Sequence, residues 1–131
     1  MAHCDREVMA FGIIVGSGDF VRLYEFATLV STLVARGEEV SIFVTGEAVK
    51  AFKKEYAPPL SSPEHKRIVE LGVDWKSLLS TAKSIGSVKV YVCETASKIF
   101  GISEEEYDPA LVDKVTSMYT FLEEVDRLVV F

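Results

Sequence analysis

The chain has 131 residues, of which 49% are hydrophobic and 26% charged, so its composition is that of a globular domain rather than a disordered or fibrous segment. Its formal net charge of −6 at pH 7 gives no electrostatic footprint for phosphate backbones or anionic lipid headgroups. We therefore expect no nucleic acid and no membrane as partner, and a single domain over residues 1–131.

The first residues and the cysteine count favour a cytoplasmic protein. Residues 1–8 carry charges where a secretory signal needs an apolar run. The chain has only two cysteines, Cys4 and Cys93, which is too few for a disulfide framework and typical of reduced thiols. His3 and Cys4 together offer fewer ligands than a zinc site needs. We expect no metal, and a flexible tail over residues 1–6.

Apolar strands alternate with helical patterns in the first half of the chain. Gly16, Ser17 and Gly18 form a turn, and Asp19 is a suitable N-cap for the helix that follows. This helix carries more apolar residues than one buried face needs, which predicts burial in the core or partly against another subunit. The predicted elements are a strand over 8–15, a helix over 20–36, a strand over 39–44, a short helix over 48–54 and a mobile connection over 55–62.

In the second half, Ser62 and Asp74 are predicted N-caps, and Pro63 stands at a first helical position. His65, in the first turn of the same helix, is expected to be solvated. The predicted elements are helices over 63–71 and 75–85, a strand over 88–92, a short helix over 95–100, an exposed helical turn at 103–106, one or two helices over 111–125 and a terminal strand over 128–131.

This order of elements predicts the fold class. Strands that alternate with helices imply parallel pairing, and strands that are apolar throughout indicate a sheet covered on both faces. We expect a single three-layer α/β domain with a mainly parallel sheet of about five strands. Ligands and reactive groups of such sheets lie beyond the carboxyl ends of the strands, where residues 16–18, 45–47 and 93–95 qualify.

Cys93 is the most informative of these residues because it follows a predicted strand and precedes a predicted helix. A thiol in this place faces backbone N–H groups and the positive end of the helix dipole, which favour the thiolate that attacks sulfur. The neighbouring Glu94 opposes the thiolate by its like charge, and Lys98 compensates if its side chain folds back. From the residues alone, a reactive thiol and an inert buried one are equally open.

Residues 88–102 resemble the strand, cysteine and C-x3-S-x3-G-[IL] continuation of the DsrE/DsrF family. The similarity extends to residues 36–49, and residues 116–122 with the terminal strand are similar to the peroxiredoxin-like branch of that family. The resemblance implies a flavodoxin-like fold, a homotrimer or homohexamer, and a cysteine that accepts and passes on sulfane sulfur or a thiosulfonate group. It also implies a TusA-like sulfur carrier as partner. We expect no cofactor.

The resemblance places the chemistry on Cys93 and implies that the loop at 16–18 helps to wall the cysteine pocket. The expected substrate-binding residues are Gly16, Ser17, Gly18, Gly46, Glu94, Thr95, Ser97 and Lys98. Some relatives have a second cysteine near the position of Gly101, and this chain has none there. Single-thiol chemistry is therefore expected.

Other protein classes lack their signatures in this sequence. No C-x-x-C pair is present, Val90 stands where peroxiredoxins place threonine, and no arginines follow Cys93 as in a rhodanese loop. Valine at position 21 leaves the dinucleotide fingerprint of the 16–18 loop incomplete. Two hypotheses remain: a cytoplasmic sulfur carrier or sulfurtransferase, and a non-catalytic module that binds a small ligand or a protein, with Cys93 inert.

Overall fold

The computed structural model describes residues 9–131, so the expectations for the tail and for Cys4 lie outside the described residues. In chain order the elements are β1 (Ala10–Val15), α1 (Phe20–Ala35), β2 (Val40–Val44), a 3-10 helix (Gly46–Phe52), α2 (Pro63–Glu70), α3 (Trp75–Ile85), β3 (Val88–Cys93), α4 (Glu94–Ile99), a 3-10 turn (Glu104–Glu106), β4 (Lys114–Thr116), α5 (Met118–Leu122) and β5 (Val125–Val130). Within residues 9–131, no helix has the length and hydropathy needed to cross a membrane.

The five strands form one sheet in the order β4-β3-β2-β1-β5, and every neighbouring pair is parallel. The predicted α/β fold class with a sheet of about five strands is therefore confirmed, and the pairing is parallel throughout. In register, Val15 of β1 lies beside Val44 of β2, which lies beside Val92 of β3. Because parallel strands end at the same edge of a sheet, the segments that follow these three strands are neighbours.

One face of the sheet is covered by α1 and α3, which also pack against each other. The strand residues that point to this face, such as Ile13, Ile42 and Val90, are fully buried. α1 begins as predicted, because the Asp19 carboxylate accepts the Arg22 amide at 3.0 Å. Much of the apolar surface of α1 is taken up inside the chain, where its buried residues are Phe20, Leu23, Phe26, Ala27, Val30 and Leu33.

The opposite face of the sheet carries the short helix α5. Phe121 of α5 is fully buried and packs on Ile14, Phe43 and Tyr91, one residue from each of the three central strands. The rings of Phe43 and Phe121 lie 5.3 Å apart between their centroids. Phe121 is the one buried residue of α5 and anchors this helix on the sheet.

This thin layer leaves large apolar side chains exposed on the same side of the molecule. They are Met118, Tyr119 and Leu122 of α5 and Leu128 and Val130 of β5. Leu128 and Val130 point to the α5 side because they lie in register with Gly12 and Ile14 of β1. We call these five residues the α5–β5 surface.

The prediction of one or two helices over residues 111–125 was wrong for its first part, where the structure has β4 at Lys114–Thr116. Asp113 fixes this strand beside β3: its amide donates to the Val90 carbonyl at 2.8 Å and its carboxylate accepts the Val90 amide at 2.7 Å. Lys83 binds the same carboxylate at 2.7 Å. β4 has only three residues and no apolar run. A search for hydrophobic patterns in the sequence therefore does not detect it.

The caps of α2 and α3 agree with their predictions. Ser62 accepts the His65 amide at 3.2 Å, and Asp74 accepts the Ser77 amide at 3.2 Å. The short helix expected over 48–54 is the 3-10 helix Gly46–Phe52. Residues 57–61 are exposed and belong to no helix or strand, while the mobility of the 55–62 connection stays a prediction.

We predict that Phe121→Ala lowers the free energy of unfolding by about 3–5 kcal/mol, because it removes a fully buried ring from a layer with few other contacts. The control is Leu71→Ala, which removes a side chain that is 74% exposed and is expected to change stability by less than about 0.5 kcal/mol. Urea unfolding measures both. Equal effects of the two substitutions would contradict the assigned role of Phe121.

Candidate functional site

Three strand ends meet along one edge of the sheet. β1 leads into the turn at Gly16, β2 into Thr45 and Gly46, and β3 ends at Cys93. The Thr45 amide donates to the Val15 carbonyl at 2.9 Å, which ties the first two ends together. Because β2 lies between β1 and β3, the Gly46 turn lies between the Gly16 turn and Cys93.

Cys93 is both the last residue of β3 and the N-cap of α4. Its backbone is extended, with φ −67° and ψ 123°, and its sulfur accepts a hydrogen bond from the Ala96 amide over 3.4 Å. The thiol is free and half-buried, and it packs against both hydrophobic clusters of the core. An N–H directed at sulfur stabilises negative charge there, so this geometry suits a nucleophilic or sulfur-bearing cysteine.

Ser97 and Tyr107 lie behind Cys93, inside the protein. Ser97 Oγ donates to the Cys93 carbonyl oxygen at 2.8 Å, and Tyr107 Oη lies 2.6 Å from Ser97 Oγ. Burial is the main cause that raises the pKa of Tyr107, and a negative charge on Cys93 raises it further. Tyr107 therefore keeps its proton at neutral pH. Ser97 is buried as well, so it belongs to the support of Cys93 rather than to its solvent-facing side.

The other predicted residues of α4 have exposed side chains. Glu94 and Thr95 lie in the first turn and Lys98 in the last turn. Within the part of the chain that the structure describes, neither Glu94 nor Lys98 takes part in a salt bridge. Their charged groups are accessible to a molecule that approaches α4, and their assignment to substrate binding stays a prediction.

The turns after β1 and β2 are in contact. Gly46 has a φ of +54°, and a Cβ there would lie 3.0 Å from the Gly16 carbonyl oxygen. A Cβ on Gly18 would lie 3.1 Å from the Glu47 carbonyl oxygen. Glycine at position 46 therefore satisfies both the left-handed backbone and the close approach of the neighbouring turn.

A cavity of 390 Å³ opens beside these turns. Its lining residues are Ser17, Gly18, Asp19, Glu47, Lys50, Ala51 and Tyr56. They include Ser17 and Gly18, two of the predicted site residues, and do not include Cys93. Ser17 Oγ accepts the Asp19 amide at 3.2 Å, which means that this amide is already used within the loop.

His65 is half-buried rather than solvated. Its ring packs edge-to-face on Phe20, with 5.3 Å between the centroids. Within residues 9–131, no group of at least three His, Cys, Asp or Glu side chains is arranged to hold a metal ion.

Two residues beside Cys93 were missed by the sequence analysis. Thr116 of β4 is buried and lies in register with Cys93. Tyr107 follows a turn of three glutamates, where nothing suggests a buried ring. The capping box between Ser103 and Glu106 is the sequence signal that locates this turn. It does not predict that the next residue, Tyr107, is buried.

The fold and the site define a small parallel α/β domain that presents one thiol where a strand passes into a helix. The chain belongs to the DsrE/DsrF-like family, whose model matches residues 9–131. Membership of this family suggests a role in sulfur relay.

Among solved structures, the chain is similar to a protein of unknown function, MTH1491, from Methanobacterium thermoautotrophicum. The TM-score is 0.60 at 14% sequence identity, and the match covers 95% of this chain and 100% of the other. At this identity the likeness shows the fold alone. No curated protein matches the sequence with significant similarity.

Proposed function

We propose that the protein is a cytoplasmic sulfur carrier or sulfurtransferase that accepts sulfane sulfur or a thiosulfonate group on Cys93 and passes it to a partner thiol. The observation that carries this proposal is the half-buried Cys93 sulfur at the N-cap of α4, with the Ala96 amide 3.4 Å away. Membership of the DsrE/DsrF-like family supports the same chemistry.

The transfer is a pair of displacements at sulfur. The Cys93 thiolate attacks the sulfane sulfur of a donor such as thiosulfate, a new S–S bond forms on Sγ, and sulfite leaves with the electron pair of the broken bond. With tetrathionate, the same attack leaves a thiosulfonate on Sγ and releases thiosulfate. The thiolate of a second protein then attacks the outer sulfur of the persulfide and releases Cys93 as a thiolate.

The surroundings of Cys93 fit a carrier better than a hydrolytic enzyme. The sulfur is half-buried between two hydrophobic clusters, which limits the approach of water to a bound persulfide. Its sulfur accepts the Ala96 amide, and the Ser97 and Tyr107 hydroxyls are engaged with the Cys93 carbonyl and with each other, so none of these groups activates water as a base. A carrier needs a sheltered, charged sulfur that another protein can reach, and exposed α4 residues leave that side open.

We predict that incubation with thiosulfate, tetrathionate or polysulfide adds sulfur to the wild-type chain at Cys93, as measured by mass spectrometry of the intact protein and its peptides. Cys93→Ser is expected to abolish the adduct. Cys4→Ser, which removes the other cysteine of the chain, is the matched control and is expected to keep it. Absence of an adduct from all three donors contradicts the proposed function.

The finer parts of the proposal are the partner and the assembly. We infer a TusA-like carrier as the source or acceptor of sulfur, and self-association into a trimer or hexamer. The α5–β5 surface supports self-association, because Tyr119 is 76% and Val130 65% exposed on one side of the molecule. Large apolar side chains exposed on one side of a molecule are typical of protein interfaces.

We predict that the wild-type protein sediments as a trimer or hexamer and that Tyr119→Lys lowers its mass toward the monomer, because a charge is placed in the α5–β5 surface. Leu71→Lys is the matched control, since Leu71 is 74% exposed and lies in the α2 C-cap, away from that surface. A wild-type monomer at micromolar concentration in analytical ultracentrifugation contradicts the assembly.

The second candidate function is a non-catalytic binding module. The observation that favours it is the 390 Å³ cavity at the β1 and β2 ends, whose lining does not include Cys93. If Cys93 is inert, its alkylation follows the rate and pH dependence of an ordinary thiol, and Cys93→Ser keeps partner binding intact. Both results together favour the module over the carrier.

A further inference from the structure

Tyr107 is fixed in place from outside the Cys93 region. Its backbone forms a β-bridge with Lys53, which follows the 3-10 helix after β2. On either side of this bridge, the Lys54 amide donates to the Glu106 carbonyl at 2.9 Å and the Asp108 amide donates to the Phe52 carbonyl at 3.0 Å. The backbone of Tyr107 is therefore anchored to the segment that follows β2, and its hydroxyl contacts Ser97 of α4.

The hydrogen bonds between these residues have a defined direction. Ser97 Oγ carries a single proton, which it donates to the Cys93 carbonyl oxygen at 2.8 Å. At the 2.6 Å contact with Tyr107, Ser97 must therefore accept, and the phenol donates. Tyr107 is 4% exposed and Ser97 is 6% exposed, so water does not compete for either hydroxyl.

This chain of hydroxyls acts on the residue that carries the thiol. The Cys93 carbonyl is the first acceptor of α4, so holding it restricts rotation about the Cys93 backbone and fixes the first turn of the helix. The same turn carries the Ala96 amide that lies 3.4 Å from Sγ. Rotation of the Cys93 carbonyl group would therefore change the distance between the Ala96 amide and the sulfur.

We infer that Tyr107 is a positioning residue for the sulfur chemistry: through Ser97 it holds the Cys93 carbonyl, and thereby keeps the Ala96 amide on the sulfur. The inference rests on the proposed function of Cys93. It assigns to Tyr107 no contact with the transferred sulfur. The tyrosine is buried and acts through its hydrogen bond with Ser97.

The test is the pH profile of Cys93 alkylation by iodoacetamide in a Cys4→Ser background, where Cys93 is the one remaining cysteine. Tyr107→Phe keeps the buried ring and removes only the donor. Its alkylation rate at neutral pH is expected to fall about threefold to tenfold, with the profile moved to higher pH, the effect of losing one hydrogen bond. Tyr24→Phe is the matched control, because it removes the same atom from a tyrosine on α1 and is expected to leave the profile unchanged.

Ser97→Ala gives a second route to the same result, should Tyr107→Phe fail to fold. It breaks the link while leaving Tyr107 in place, and it is expected to move the profile in the same direction. In the Ser97→Ala background, Tyr107→Phe is expected to shift the alkylation profile little further, because Tyr107 acts on Cys93 through Ser97. Full additivity of the two substitutions overturns the inference.

A purely structural role for Tyr107 has a different signature. In that case Tyr107→Phe lowers the melting temperature and leaves the pH profile in place, which overturns the inference. The failure of the proposed function is distinguishable, because it shows in the wild-type protein as the absence of a sulfur adduct from any donor. The alkylation profile of Cys93 needs no sulfur donor. It therefore tests the role of Tyr107 independently of sulfur transfer.

Discussion

The site depends on one constraint, the direct passage of β3 into α4 at Cys93. The strand side of this residue is set by the sheet, because Cys93 lies in register with Thr116 of β4. Its helix side is set by the need to cap α4, since no loop residue intervenes. Ser, Thr, Asp and Asn usually fill such a position, and a cysteine there leaves its sulfur as the acceptor of the Ala96 amide. The Cys93 sulfur is thus held by two elements at once.

The two faces of the sheet are covered unequally, and Cys93 also packs against the thinly covered one. α1 and α3 bury one face thoroughly, whereas the other face has α5 and its single buried phenylalanine. Cys93 packs against the cluster under α5, and Thr116, its neighbour in the sheet, lies just before the α5 N-cap Ser117. The Cys93 side chain and α5 therefore lie on the same face of the sheet, whereas β5 is separated from β3 by β2 and β1.

Local sequence signals predicted most of the fold and only part of the site. α1, α2 and α3 have side-chain caps and apolar periodicity, which arise within one segment and are visible in it. β4 is held by the Asp113 carboxylate on the Val90 amide, an interaction across 23 positions that no local pattern encodes. Tyr107 reaches Ser97 across 10 positions through two hydroxyls, and burial of that ring follows from the fold alone.

The central claim is that the Ala96 amide donates a hydrogen bond to the Cys93 sulfur. It is tested most directly by following the Ala96 amide proton by NMR while the thiol is titrated in the Cys4→Ser protein. The account predicts that this resonance moves downfield as the thiolate forms, because the hydrogen bond strengthens when its acceptor becomes charged. In Cys93→Ala the same resonance is expected to show no such titration. If the Ala96 amide resonance of the Cys4→Ser protein, in which Cys93 is retained, does not move as Cys93 ionises, the account is contradicted.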